Sequence, residues 1–384
     1  MRTLVVALIV SALLPLIAAP NVACAEDVYF GETPTQMMDR LRVEAINGKL
    51  DAAIAELADF VRYHADVVPA ARLLGDFYYR KADMASAERV YKNIVLRYPT
   101  DRETWNRLGG IYAAEDRVDE AINAFNRSIP EPSAYPNLVA LHRRRGDLRA
   151  FVDEVATRAQ QQPSNLRVML EYGNVLRATK QYDAAISVFE HALLLSDLDR
   201  CAALNDLANT YTDVGRAQDA VTLLQRCLAL DPHTYFALVN IGEANIEIGN
   251  NDLARSYLER ALKENRYRPE AYVDIGFIED VDGRWKSAVT YYQKAIDVDP
   301  LWRDAYVNLG YDYKDQKLYN LAEAAFLKGL AVAPHDGRLA YMLGVTYGLQ
   351  GKTQLARKEY QRAISNSDED IVVTAARREM LELR

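Results

Sequence analysis

The sequence predicts an all-α fold, a solenoid of antiparallel helix hairpins. Three observations carry that expectation. Glycines recur at a spacing of 34 residues, at Gly75 and Gly109 and again at Gly276, Gly310 and Gly344. Between them apolar residues recur at three and four positions, the period of one helix face. Prolines at Pro99, Pro232, Pro300 and Pro334 close several of the units, where they stop a helix.

Other positions fall into register with the glycines. Each is preceded by an apolar residue: Leu74, Leu108, Ile275, Leu309 and Leu343. Twelve residues on stands alanine, at Ala87, Ala121, Ala288, Ala322 and Ala356. Four further is an aromatic: Tyr91, Phe125, Tyr292, Phe326 and Tyr360. In the unit 303–336, Tyr306, Leu309, Gly310 and Tyr313 form one helical face. After the polar turn at 317–320, Leu321, Ala322, Ala325, Phe326 and Leu330 form a second. Two amphipathic helices joined by a short turn make an antiparallel hairpin. Gly310 and Ala322 are expected to be small because the two axes approach there, and Phe326 to fill the space beside them.

The elements follow in order. Residues 1–25 read as a secretory signal peptide: Arg2, an apolar run at 4–19 broken by Pro15, and a small-x-small site at Ala23-Cys24-Ala25 before Glu26-Asp27. That run is short for a membrane span, and no later stretch is long enough to be one, so the remaining chain is expected not to span a membrane and to be exported to the periplasm or beyond. Residues 26–33 are a linker. Ten units follow, at 34–67, 68–101, 102–131, 132–165, 166–200, 201–234, 235–268, 269–302, 303–336 and 337–370. The first is worn, with Leu41 in place of glycine, as expected of an end cap. The third is short and ends in a proline cluster, Pro130, Pro132 and Pro136, near residues 128–136. This divides an irregular N-terminal segment, 34–165, from a regular one, 166–370. In 371–384, Val372, Ala376, Met380 and Leu383 form one stripe, which reads as a single capping helix.

A 34-residue helix–turn–helix with Leu-Gly, Tyr, Ala, Phe and Pro at these offsets resembles the tetratricopeptide repeat. The resemblance covers nearly all of the chain after residue 33. It implies a right-handed superhelical solenoid in which the first helix of each unit lines the concave side. It also implies that the motif positions are packing residues, which absorbs most of the 24 tyrosines.

What remains is the open side of each first helix. In units four and five it carries Asn137, Arg143, Arg144, Arg167, Asn174 and Arg177. In units six to nine it includes Asn205, Asp206, Asn209, Asp213, Asn240, Glu243, Glu247, Glu270, Asp274, Asp280, Asn308, Lys314 and Asp315. The groove is therefore expected to change from basic to acidic along the chain. Asn137, Asn240 and Asn308 share the sixth position, with Asp206 and Asp274 between. An amide donates and accepts at once, which suits an extended peptide backbone. Phe236, Phe277, Tyr311 and Tyr341 add aromatic anchors. The bland alternative is a solvated helix face. The Lys/Arg clamp with which some family members hold a C-terminal carboxylate is not matched in units six to nine.

No chemistry emerges from the rest. The chain has 384 residues, 50% hydrophobic and 26% charged, with net charge −8, which disfavours a nucleic-acid partner. His64, His142, His191, His233 and His335 are scattered, with no metal-ligand spacing. No phosphate loop or nucleophile elbow occurs. No enzyme activity and no cofactor are expected. Cys201 and Cys227 lie at neighbouring ends of one hairpin, so a disulfide is geometrically allowed, while a free Cys227 would also pack well.

The expected function is a protein–protein scaffold of the cell envelope that holds extended peptide, with a preference for basic segments. Two alternatives stand beside it: a carbohydrate-binding component of a polysaccharide export or cell-wall system, and a regulatory partner of a separate glycosyltransferase. The sequence names no partner and sets no oligomeric state.

Overall fold

The computed structural model describes residues 32–195, 200–367 and 370–382. The expected signal peptide and most of the linker lie outside the described residues.

Among the described residues the chain forms 21 α-helices, arranged as ten consecutive hairpins and a last single helix. The hairpins are α1 (Pro34–Glu44) with α2 (Leu50–Tyr63), α3 (Val68–Arg80) with α4 (Met84–Arg97), α5 (Arg102–Ala114) with α6 (Val118–Ser128), α7 (Ala134–Arg145) with α8 (Leu148–Gln161), and α9 (Leu166–Ala178) with α10 (Tyr182–Ala192). Then come α11 (Arg200–Asp213) with α12 (Ala217–Leu230), α13 (Tyr235–Ile248) with α14 (Asn251–Glu264), α15 (Glu270–Val281) with α16 (Trp285–Val298), α17 (Arg303–Asp315) with α18 (Tyr319–Val332), and α19 (Gly337–Leu349) with α20 (Thr353–Asn366). Helix α21 (Asp370–Glu382) packs on α19 and α20, burying Val372 and Ala376.

Each hairpin packs on the next, and from α7 onward the first helices also touch one another, α7 on α9, α9 on α11, α11 on α13, α13 on α15 and α15 on α17. This is the architecture of a right-handed superhelical solenoid, with the first helices forming a continuous wall from α7 to α17. Helix starts are fixed locally. Thr33 and Gln36 form a reciprocal capping box, and Asp83, Asp101 and Asp336 each accept from a backbone N–H in the first turn.

The repeating glycine has a sharper role than close axes alone. A Cβ at Gly310 would stand 2.4 Å from Phe326 Cε1, and one at Gly75 2.3 Å from Tyr91 Cε1. The ring of the second helix fills the space that a side chain on the glycine of the first would need. The same pairing joins Gly173 to Phe189 and, with an aliphatic side chain, Gly242 to Leu258. Gly242 keeps the 34-residue spacing to Gly276, and only the ring is replaced, by Leu258.

Helix α6 stops at Ser128, and a loop with a cis Ile129–Pro130 bond leads to α7. The apolar core runs through this stretch, with Phe125, Ile129, Ala134, Tyr135 and Leu138 in one cluster.

The superhelix also returns on itself. The inter-hairpin turns after α14, α16 and α18 reach the concave side of the first four hairpins, and α18 touches α5.

Candidate functional site

The wall from α9 to α17 carries the anticipated amides, but not as free groups. Asn174 Nδ2 donates to Asp206 Oδ2 at 2.8 Å, and Asn240 Nδ2 donates to Asn205 Oδ1 at 2.8 Å. Asn174, Asn205 and Asn240 are all buried. Expected on an open face, they instead tie neighbouring first helices together. Helices packed this closely cover the short amide side chains, and a covered amide must find a protein partner. Asn209 and Asn308 are half-buried on α11 and α17.

Beyond the amides the wall is acidic. Glu243 of α13, Glu270 and Asp274 of α15, and Asp304 of α17 influence one another. Glu243 still reaches solvent. Desolvation between the helices, with Glu270, Asp213 and Asp304 nearby and only Arg177 opposing, pushes it up to about 7. Desolvation, then Glu243, Glu270 and Asp304, holds the Asp274 carboxyl well above its ordinary range. Asp274 Oδ2 is buried and has no hydrogen-bond partner within the protein. One turn further along, desolvation and its neighbour Asp280 push Asp312 up to about 7. Asp206, bonded to Asn174, is pushed up to about 6 by desolvation. Such a surface favours a cationic ligand, which would relieve repulsion among the carboxylates.

The anticipated basic cluster is not assembled. Arg144 pairs with Asp116 and lines a cavity against α5, and Arg167 lines a different cleft beside His142 and Phe151. Arg177 pairs with Asp213 at 2.5 Å, inside the acidic stretch. Arg143 is exposed on α7. Arg143, Arg144 and Arg177 stand near the C-terminal ends of α7 and α9, whereas Arg167 stands at the N-terminal end of α9, so the four do not share one level of the wall.

The aromatic anchors divide similarly. Tyr311 meets Phe326 edge-on at 6.0 Å, and Tyr341 packs on Tyr360 at 5.9 Å. Phe236 lies under the Arg268 guanidinium at 4.4 Å. Phe277 is 43% exposed and Asp280, on the same helix, is exposed.

The groove of the first four hairpins is built differently, around residues that sequence reasoning passed over. Arg107, 4% exposed, holds Asp76 at 2.8 Å and Glu103 at 3.1 Å within its own half. It then reaches the far half: Nη2 donates to the Val298 carbonyl at 3.3 Å, and Nη1 stands 3.7 Å from Asp299 Oδ2. Burial opposes its charge, but Asp299, Asp76 and Glu103 more than offset this and hold it protonated well above the usual range. Arg80 pairs with Asp297 at 3.3 Å, and Glu131 with Arg268 at 2.8 Å. Asn106, Asn137, Arg144, Trp302 and His335 line a cavity of about 340 Å³ along this seam. Arg107 holds the sixth position of its unit, shared with Asn137 and Asp206, so the repeat register was the signal that could have found it.

Cys201 and Cys227 are joined by a disulfide, with Cα atoms 4.5 Å apart. Among the described residues no group of three or more His, Cys, Asp or Glu side chains could hold a metal ion, and no helix is long and apolar enough to cross a membrane.

Two family models, both described as tetratricopeptide repeat, match the sequence, one at residues 164–233 and the other at 81–137, 205–269 and 307–371. No curated protein matches. Among solved structures, the chain is similar to one described as the APC/C hetero-tetramer Cut9-Hcn1, at 16% identity and a TM-score of 0.50, covering 90% of this chain and 72% of that one. It is also similar to MamA, at 29% identity and a TM-score of 0.34, over 42% of this chain and 94% of that one.

Proposed function

The chain belongs to the tetratricopeptide repeat family, and from that premise we propose that it is a scaffold whose C-terminal concave wall holds an extended, Lys/Arg-bearing segment of a partner protein. Repeats of this family support protein–protein interaction in general; the choice of wall and partner rests on one observation. Asp274 Oδ2 is buried without a protein partner, in the midst of Glu243, Glu270 and Asp304. A buried carboxyl oxygen with no partner is costly, and an incoming guanidinium or ammonium supplies a donor together with the positive charge that favours the ionised form. Phe277, exposed beside Asp280, offers apolar surface for the stem of the same side chain.

The role is binding, without catalysis. The leader-like residues 1–25 support export, and we place the protein at the cell envelope on that sequence pattern.

The reading is tested by screening immobilised extended peptides that are Lys/Arg-rich, neutral or Asp/Glu-rich against the purified chain at low salt. Selective retention on the basic set supports it. Equal retention on all three, or on the acidic set alone, removes it.

A further inference from the structure

The turn that enters the N-terminal groove is chemically singular among the proline-closed units. Before Pro300 the chain reads Asp297-Val298-Asp299. The corresponding triplets are Leu96-Arg97-Tyr98 before Pro99, Ala229-Leu230-Asp231 before Pro232 and Ala331-Val332-Ala333 before Pro334. Only the 297–299 stretch has two aspartates, and both are used. Asp297 meets Arg80 of α3, Asp299 meets Arg107 of α5, and the Val298 carbonyl accepts from Arg107. Leu301 then lies against Gly110, where a Cβ would come within 3.6 Å of its Cδ1.

The seam has the character of a reversible contact. Its bonds are mostly ionic: Arg80 to Asp297, Arg107 to Asp299, Glu131 to Arg268, and Asp39 to Arg266 at 3.4 Å. Its apolar part consists of Leu301, Val332 and Tyr267, half-buried against the cores of the first hairpins. Arg107 keeps Asp76 and Glu103 as partners whether or not the far turn is present, so opening the seam does not strand its charge. Contacts of this kind between parts of one chain resemble transient interfaces more than cores.

We propose that the concave face of the first hairpins is a receptor for an acidic, proline-capped helix end, filled in cis by residues 297–301, and that a protein segment of the same Asp-x-Asp-Pro-Leu chemistry competes for it in trans. Arg268, which pairs with both Glu131 and Glu270, borders both surfaces; the groups that read the turn, Arg80 and Arg107, are distinct from the carboxylates proposed to hold basic segments, so either proposal can fail without the other. Arg80 and Arg107 read the two carboxylates, the leucine packs on Gly110, and closure ties hairpins two to four to hairpins eight and nine.

The test uses the full chain. In the variant Asp297→Lys/Leu301→Asp the cis occupant is disabled while every groove residue is kept. The probes are a peptide of residues 287–303 and the same peptide with both aspartates changed to asparagine. The variant is expected to keep wild-type helicity, to show a larger radius of gyration by small-angle X-ray scattering, and to bind the acidic peptide at least tenfold more tightly than the amide peptide. Wild-type protein, already occupied, is expected to bind the acidic peptide at least tenfold more weakly than the variant does. An unchanged radius, or equal affinity for the two peptides, or no binding of either, overturns the proposal. Should that variant lose helicity, Asp297→Asn/Leu301→Ala carries the same expectations and the same contrary outcomes.

Discussion

Arg107 Nη2 donates to the carbonyl of Val298, 191 residues further along the chain, at 3.3 Å. In a stack where each hairpin meets mainly its neighbours, this bond joins the third hairpin to the eighth. The same guanidinium holds Asp76, which in turn accepts from the Tyr91 hydroxyl at 2.5 Å. Removing the cation leaves a buried carboxylate with a single donor. Arg107→Met is expected to destabilise the chain by about 3–5 kcal/mol, the cost of breaking one side of a buried pair. Urea denaturation followed by circular dichroism checks this, and Asp76→Asn in the same background should recover part of the loss.

The glycine–ring contact sets a second expectation. Gly310→Ala puts a methyl where Phe326 Cε1 already lies, 2.4 Å from the new Cβ. Overpacking of this kind costs roughly 1–3 kcal/mol despite alanine's better helix propensity. Thermal melting of Gly310→Ala against wild type reads it. A melting temperature at or above wild type would show that the hairpin relaxes freely there.

The crowded carboxylates give a pH dependence of definite sign. Asp206 is pushed up to about 6 and Asp312 to about 7, both chiefly by desolvation. In the unfolded chain such groups titrate near 4. Between those values the folded state therefore holds more protons, so stability falls as pH rises from about 4 to about 7. Asp312→Asn removes one of these groups and should flatten the slope of melting temperature against pH across that window. A steeper slope, or one of opposite sign in wild type, would contradict the assignment.

The disulfide closes a loop of 26 residues within the sixth hairpin. Loops of that size stabilise by about 3 kcal/mol where the native geometry is undisturbed. Intact mass without reductant should be lower by two hydrogens than after reduction, and denaturant midpoints should drop when reductant is added.

The hairpin architecture was legible because packing in a solenoid is local. Gly310, Ala322 and Phe326 lie within one unit, so a period in the sequence is a period in space. The groove was legible only in part. Position within the repeat puts Asp274 and Glu243 on the first helices α15 and α13. It could not say that Asn174, Asn205 and Asn240 would be spent on bonds between helices, since that depends on how closely α9, α11 and α13 pack. Nor could it join Arg80 and Arg107 to Asp297 and Asp299. That contact arises from the turn of the whole superhelix, a quantity no single unit encodes.

The central claim is that the C-terminal concave wall binds cationic segments through Glu243 and Asp274. Its most direct test is titration calorimetry of one Lys/Arg-rich extended peptide, taken from the retained set, against wild type and Glu243→Lys/Asp274→Lys, each at low and moderate salt and at pH 6 and 8. Wild type should bind more tightly at pH 8, where Glu243 is charged, and should weaken as salt rises. The charge-reversed protein, if folded by circular dichroism, should lose at least tenfold in affinity together with the salt dependence. Equal affinity and equal salt dependence in the two proteins would contradict the account.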